Sequence, residues 1–401
     1  MVSARTQGKA ITMLAVKLGV EKPIIQAPMA GVSSVELASQ VTNHGGIGSL
    51  PLSSIDLKNN WSSFVQTVQE YRSKLSATRP GSRLPVNLNF FCHDIYTPPS
   101  KEQISNWCSL YKSVVPVVLD WSSVSTFANG NVSFKTWELQ ENEGVLDTMF
   151  SFWHHNKELV PEIVSFHFGY PLVDTIRKFQ ELGTLVFVTA TSLEEVKVLL
   201  SLNIDGLVLQ GDEAGGHRGD FLPTEEANLS TSALFEIVQS YLASQNLKDR
   251  VYVVPAGGIM DSKDVSKYIN SGASAVQMGS AFLATEGSVA RPYFEKLIGR
   301  DNGNKDSLPN TTMTPLVSGK PARTVVTPFI STLVSKYNDL SPQNKNLPDY
   351  GFRYKAYKDL NQKLKGMIDM DLGFHLAGSN YTKMNSNSNV SEILSTVTKD
   401  L

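Results

Sequence analysis

Short apolar and β-branched runs, each ending in a polar or glycine-rich turn and followed by helical periodicity, recur up to about residue 283. The runs are PIIQAP (23–28), GIGSL (46–50), LPVNLNF (84–90), IVSFHFG (163–169), TLVFVTA (184–190), DGLVLQG (205–211), VYVVPAG (251–257) and SAVQMGS (274–280). Continuous apolar strands separated by helical stretches predict a parallel sheet with helical crossovers. Eight such units match the strand count of a closed (β/α)₈ TIM barrel, so the expected class is α/β.

Two helices carry end signals. SSVELASQVTNHG (33–45) offers Ser33 as N-cap with Glu36 three residues on and Gly45 as its C-terminal stop. SLEEVKVLLSLNI (192–204) opens on a Ser192/Glu195 capping box. Residues 92–160 and 284–401 fall outside the repeat and are too long for barrel loops. The first is expected as an insertion in a barrel spanning 1–283. The second is expected to be a helical cap over the barrel mouth, a substrate-capping domain. From Lys383 the tail SNSNVSEILSTVTKDL is polar, without a strong apolar face, and is expected to be flexible.

Composition narrows the class. The 401 residues are 41% hydrophobic and 18% charged, enough for a substantial core, and the net charge of -2 provides no field for nucleic acid or an anionic membrane. The expected partner is a small molecule. Two cysteines, Cys92 and Cys108, do not make a disulfide framework and suit a reducing compartment. No apolar run approaches the ~20 residues of a membrane helix. Arg5, Lys9 and Lys17 precede the first acid, Glu21, as in mitochondrial presequences, but one arginine is few for such a segment, so the cytoplasm is the expected location. Oligomeric state stays open, a homodimer included.

In such a barrel the chemistry sits at the C-terminal ends of the strands. Gly257-Gly258 ends the seventh run, and Gly279-Ser280 ends the eighth and is read as opening a helix, AFLATEGSVA. Glycine lets backbone approach a ligand, and two such pairs after strands seven and eight point to a phosphate site. QAPMAG presents Pro28, Met29 and Ala30 as a surface for a flat ring, while Asn87 and Gln210 offer amides that both donate and accept. Within IVSFHFG, His167 shares a face with Ser165 and Gly169, so it can reach a ligand and take a proton near neutral pH. His217 follows Glu213 by four residues, but three glycines in GDEAGGHRG oppose a metal-binding helix; the stretch reads as a loop covering a cofactor. His44, His93 and His375 show no partner at ligand spacing, and no metal is expected.

Taken in order, QAPMAG, VSFHFGYP, LVLQGDEAGGHRG, VVPAGGI and AVQMGSAFLATEG resemble the motifs of nitronate monooxygenases, formerly called 2-nitropropane dioxygenases. The resemblance spans residues 23 to about 325; SGKPAR (318–323) resembles a motif usually written with Arg at the place of Lys320, and AGSNY (377–381) a C-terminal segment. It implies noncovalent FMN and oxidation of alkyl nitronates, such as propionate 3-nitronate, by O2 to carbonyl compounds and nitrite. The catalytic histidine would be His167. Flavin contacts would fall on Met29, Asn87, Gln210, Gly215 with its neighbour Gly216, Gly258, and Gln277, Met278, Gly279 and Ser280; Ser318 would face the substrate. The alternative on the same flavin barrel is an NAD(P)H-dependent reductase of quinones or enoyl thioesters.

Overall fold

A computed structural model describes residues 12–76, 83–139, 144–223, 228–299, 307–385 and 388–401. Arg5 and Lys9, on which the presequence reading partly rests, lie outside the described residues. Eleven strands occur among those described: β1 Ile24–Gln26, β2 Gly48–Pro51, β3 Leu84–Phe91, β4 Pro161–His167, β5 Leu185–Ala190, β6 Gly206–Gln210, β7 Gly216–His217, β8 Tyr252–Ala256, β9 Val276–Met278, β10 Thr311–Thr314 and β11 Ala322–Val325.

Eight of them form one sheet in the order β1-β9-β8-β6-β5-β4-β3-β2, every pair parallel. The Gln26 amide donates to the Ile47 carbonyl at 2.9 Å beside a parallel Ile25–Ile47 bridge, and so joins the two edges. The expected eight-stranded barrel is therefore present. Alternation along the strands separates two apolar regions. Ile25, Ile47, Ile163, Phe187, Val208 and Val254 fill the lower barrel, which the helix Met13–Leu18 plugs with Leu14 and Leu18. Val164, Phe166, Val186, Val188, Leu207 and Leu209 face outward into the large core shared with the surrounding helices.

Local signals hold with shifts. The helix Val35–Asn43 is capped by Ser34, not Ser33, because the Ser33 hydroxyl is taken by the Gln26 amide at 2.7 Å; Gly45, at φ 88°, follows its end as expected. Ser192 caps Leu193–Ser201, but the Glu195 carboxylate turns instead to the Thr191, Phe221 and Leu222 amides. No helix opens after Gly279: a single 3₁₀ turn, Ser280–Phe282, is followed by turns, and the next helix is Arg291–Gly299. Gly287 at φ 81° breaks the expected run.

The cap is built from both extra regions and is not purely helical. Trp107, Leu110 and Tyr111 of the capped helix Lys101–Val114 share a core with Leu316, Phe329, Leu333 and Tyr357 from helices Pro328–Asn338 and Phe352–Leu364 and the loop before them. A three-stranded antiparallel sheet, β10-β11-β7, ties this cap to the loop after β6. The tail also departs from expectation. Val390–Val397 is a helix with an Asn389/Glu392 capping box, and Val390, Leu394 and Val397 enter the barrel's outer core. Three apolar residues at helical spacing suffice once a neighbouring surface covers them. No helix among the described residues is long and apolar enough to cross a membrane.

Candidate functional site

The inward face of several strands changes from apolar to polar toward its C-terminal end: Ile163 is followed by Ser165 and His167, Phe187 by Thr189, Val208 by Gln210. These polar ends open into a cavity of about 340 Å³ roofed by the cap. Of the residues singled out in the sequence, Pro28, Met29, Ala30, His167, Gln210, Gly215, Gly216, Gly257, Gly258, Gln277, Met278, Gly279 and Ser280 all line it. Asn87 and Ser318 do not. Asn87 lies one layer deeper, donating to Ser49 Oγ at 3.0 Å, while Asn89, two residues on, lines the cavity and donates to Ser165 Oγ at 3.0 Å. Ser318 is fully buried behind His217.

His167 is held at both ring nitrogens. Nε2 lies 3.1 Å from the His217 carbonyl, which can only accept, so Nε2 carries the proton. Nδ1, 3.1 Å from Thr189 Oγ1, is then the unprotonated nitrogen. Burial pushes the imidazole down to about 4, with the His217 carbonyl opposing and the Lys320 charge adding to the shift. At neutral pH it is therefore a neutral base. Gly219 is packed so tightly against the ring that a Cβ there would stand 2.4 Å from His167 Cε1.

The Gln210 amide, expected at the edge of a ring, lines the cavity and also ties down the loop after β6. Its Nε2 donates to the His217 carbonyl at 2.9 Å and its Oε1 accepts from the Gly219 amide at 2.7 Å, which closes the loop between them. The same loop carries His217, whose Nε2 donates to Ser318 Oγ at 2.8 Å while that hydroxyl donates to the Lys320 carbonyl at 3.0 Å. Ser318 thus orients His217. Burial, then the neighbouring His167, Lys320 and Lys358, push His217 down to about 3. Phe168, the residue after His167, sits at φ 69°, a strained value for a buried aromatic, with the Lys320 amine 4.9 Å above its ring.

The cap contributes residues that no motif announced. Tyr350, Tyr354 and Lys358 line the cavity, the last two one turn apart on the helix Phe352–Leu364. Their i, i+4 spacing was the available signal. The Lys358 amine lies 4.3 Å over the Tyr354 ring, and no carboxylate among the described residues pairs with it. Burial lowers its pKa. Asn131 also lines the cavity, from the insertion's tip, with its Nδ2 unpartnered; the Tyr350 hydroxyl is buried and unpartnered too. Among the described residues no group of three or more potential ligands could hold a metal ion. His375, expected to have no acidic partner at ligand spacing, does have one: the Asp371 carboxylate, four residues before it, lies 2.8 Å from its Nε2.

The family model described as nitronate monooxygenase matches residues 12–400. A putative nitronate monooxygenase of Saccharomyces cerevisiae is 40% identical over 378 residues, covering 92% of this chain and 88% of its own. A nitronate monooxygenase of Pseudomonas aeruginosa is 32% identical over 364 residues, covering 90% and 91%. Among solved structures, a nitroalkane oxidase from Streptomyces ansochromogenes superimposes with a TM-score of 0.71 at 24% identity, covering 96% of this chain and 98% of its own, a likeness of fold.

Proposed function

The chain belongs to the nitronate monooxygenase family and is an oxidoreductase of that kind, and from this premise we propose that it uses noncovalent FMN to oxidise small alkyl nitronates with O2, giving carbonyl compounds and nitrite. Propionate 3-nitronate, which carries two anionic groups, is the substrate type inferred. The observation that supports this best is one cavity holding three things together: glycine turns for a phosphate, a neutral histidine, and a lysine without a carboxylate partner.

The residues fit FMN. Gly257 and Gly258 take φ of 124° and 71°, and a Cβ on Gly257 would come 2.9 Å from the Ala214 amide. Only glycine can form that turn. The first amides of the 3₁₀ turn at Ser280 lack helical partners and can serve a phosphate. Gly257, Gly258, Gly279 and Ser280 would hold the phosphate; Met29, Ala30 and Asn89 would border the ring. The flavin, when bound, supplies the electron acceptor.

The protein's own part is positioning, charge and proton transfer. The Lys358 ammonium attracts an anionic substrate into a cavity walled by Tyr350 and Tyr354. A nitronate arrives already deprotonated and needs no base. A neutral nitroalkane must lose its α-proton, and Nδ1 of His167 is the site that can take it, with Thr189 as the hydroxyl beside it. The Gln210 amide and Gly219 keep the imidazole in that orientation.

The test is oxygen uptake with nitrite release when purified, FMN-loaded protein meets propionate 3-nitronate. Coupled uptake and nitrite are expected. Failure on every nitronate, with rapid bleaching of bound flavin by NAD(P)H, would replace this proposal with a reductase.

A further inference from the structure

The AGSNY segment, residues 377–381, plays no part in the chemistry above, yet it crosses the phosphate end of the cavity. We propose that residues 376–381 form a clasp that locks the phosphate-binding turns and retains the cofactor, so that FMN exchange requires the clasp to lift. The proposal rests on the FMN reading and adds a positioning role for Asn380 and Gly378.

Three residues of the clasp, Gly378, Ser379 and Asn380, each grip a different part of the site. The Gly378 amide donates to Ser280 Oγ at 2.8 Å, on the turn after β9. Asn380 Nδ2 donates to the Gly258 carbonyl at 2.7 Å, on the turn after β8. The Ser379 amide donates to the Glu213 carbonyl at 3.0 Å, on the loop after β6. Three strand ends that share no sequence proximity are thereby fastened to one short segment.

The crossing is close enough to demand glycines on both sides. A Cβ on Gly215 would stand 2.4 Å from the Gly378 amide nitrogen, and a Cβ on Gly378 would stand 2.7 Å from the Glu213 carbonyl oxygen. Real Cβ contacts are essentially never that short. The clasp is anchored at both ends. At its start, the Ala377 amide donates to the Arg323 carbonyl at 3.3 Å, and Arg323 itself pairs with Asp212 Oδ2 at 2.5 Å and donates to the Asp212 carbonyl at 2.7 Å. At its end, the Tyr381 hydroxyl donates to the Pro309 carbonyl at 2.6 Å. The middle therefore carries the bonds whose loss would open the phosphate end.

The experiment measures dissociation of FMN and of riboflavin, which lacks the phosphate, from wild type, Asn380→Ala and Gly378→Ala, by recovery of free-flavin fluorescence after dilution. One lost hydrogen bond of about 1 kcal/mol corresponds to roughly a fivefold faster release. FMN release at least that much faster in Asn380→Ala, with a smaller change for riboflavin, supports the clasp. Gly378→Ala, which must displace the segment, is expected to release FMN faster still; Asn380→Ala keeps the test usable if Gly378→Ala does not fold. Equal acceleration of both flavins, or FMN release less than about fivefold faster than wild type, overturns the clasp. A wild-type protein that binds no FMN overturns the cofactor reading instead.

Discussion

Replacing His167 with asparagine separates the two substrate forms. Asparagine keeps a polar side chain in the slot between Thr189 and the His217 carbonyl but has no basic nitrogen. A positioned general base contributes about 10²- to 10⁴-fold to proton abstraction, or about 3 to 5 kcal/mol. His167→Asn is therefore expected to lower kcat/KM for neutral nitroethane by that factor and for preformed ethyl nitronate by less than about tenfold, since no proton needs to leave the anion. The assay is oxygen uptake with each form added from freshly equilibrated stocks, fast enough to outrun their interconversion. Because burial holds His167 down to about 4, the base is unprotonated from pH 6 to 8, and wild-type kcat/KM for nitroethane should show no histidine limb in that interval. Equal losses on both substrates, or a limb near pH 6.5 that His167→Asn abolishes, would refute this account of the base.

Lys358→Met should raise KM for propionate 3-nitronate about tenfold, near 1.4 kcal/mol, with a smaller rise for propyl nitronate; equal rises would mean the lysine shapes the cavity without reading charge. Asn131→Leu and Tyr350→Phe remove unpartnered polar groups from the same cavity, so the kcat/KM ratio of carboxylated to plain nitronate should fall, and a constant ratio would exclude them from substrate choice. Stability should drop in acid. Burial first, then Lys320, hold His93 down to about 4, so the folded state disfavours protonation; the unfolded chain binds the extra proton between pH 6.5 and 4, and stability present above 6.5 is lost as pH falls. At pH 5 this one residue costs about 2 kcal/mol relative to pH 7.5, and His93→Phe should shrink the fall in unfolding free energy between those pH values by that amount. Glu195→Ala strips acceptors from the Thr191, Phe221 and Leu222 amides and should cost about 3 to 5 kcal/mol in urea unfolding; a cost under 1 would show that water replaces the buried carboxylate.

The barrel was legible because its information is local: each strand is a short apolar run, each strand end a glycine or polar turn, and period two puts Ser165 and His167 on one face. Ordered motifs carried the family, and most of the residues they pointed to meet in one cavity. What only the tertiary structure decided depends on distant partners. Asn87 and Asn89 lie on the same strand face and differ only in depth, so which of them lines the cavity follows from where the barrel floor ends. Gln210 lines the cavity, as its strand-end position suggested, but only the loop's return shows that its amide also holds the His217 carbonyl and the Gly219 amide. Ser318 meets His217 across 101 positions, and Tyr350, Tyr354 and Lys358 reach the site from a cap without a periodic repeat to reveal it. The tail's few apolar residues became a helix because the barrel supplied the surface that covers them, and no pattern within the segment encodes a partner hundreds of residues away.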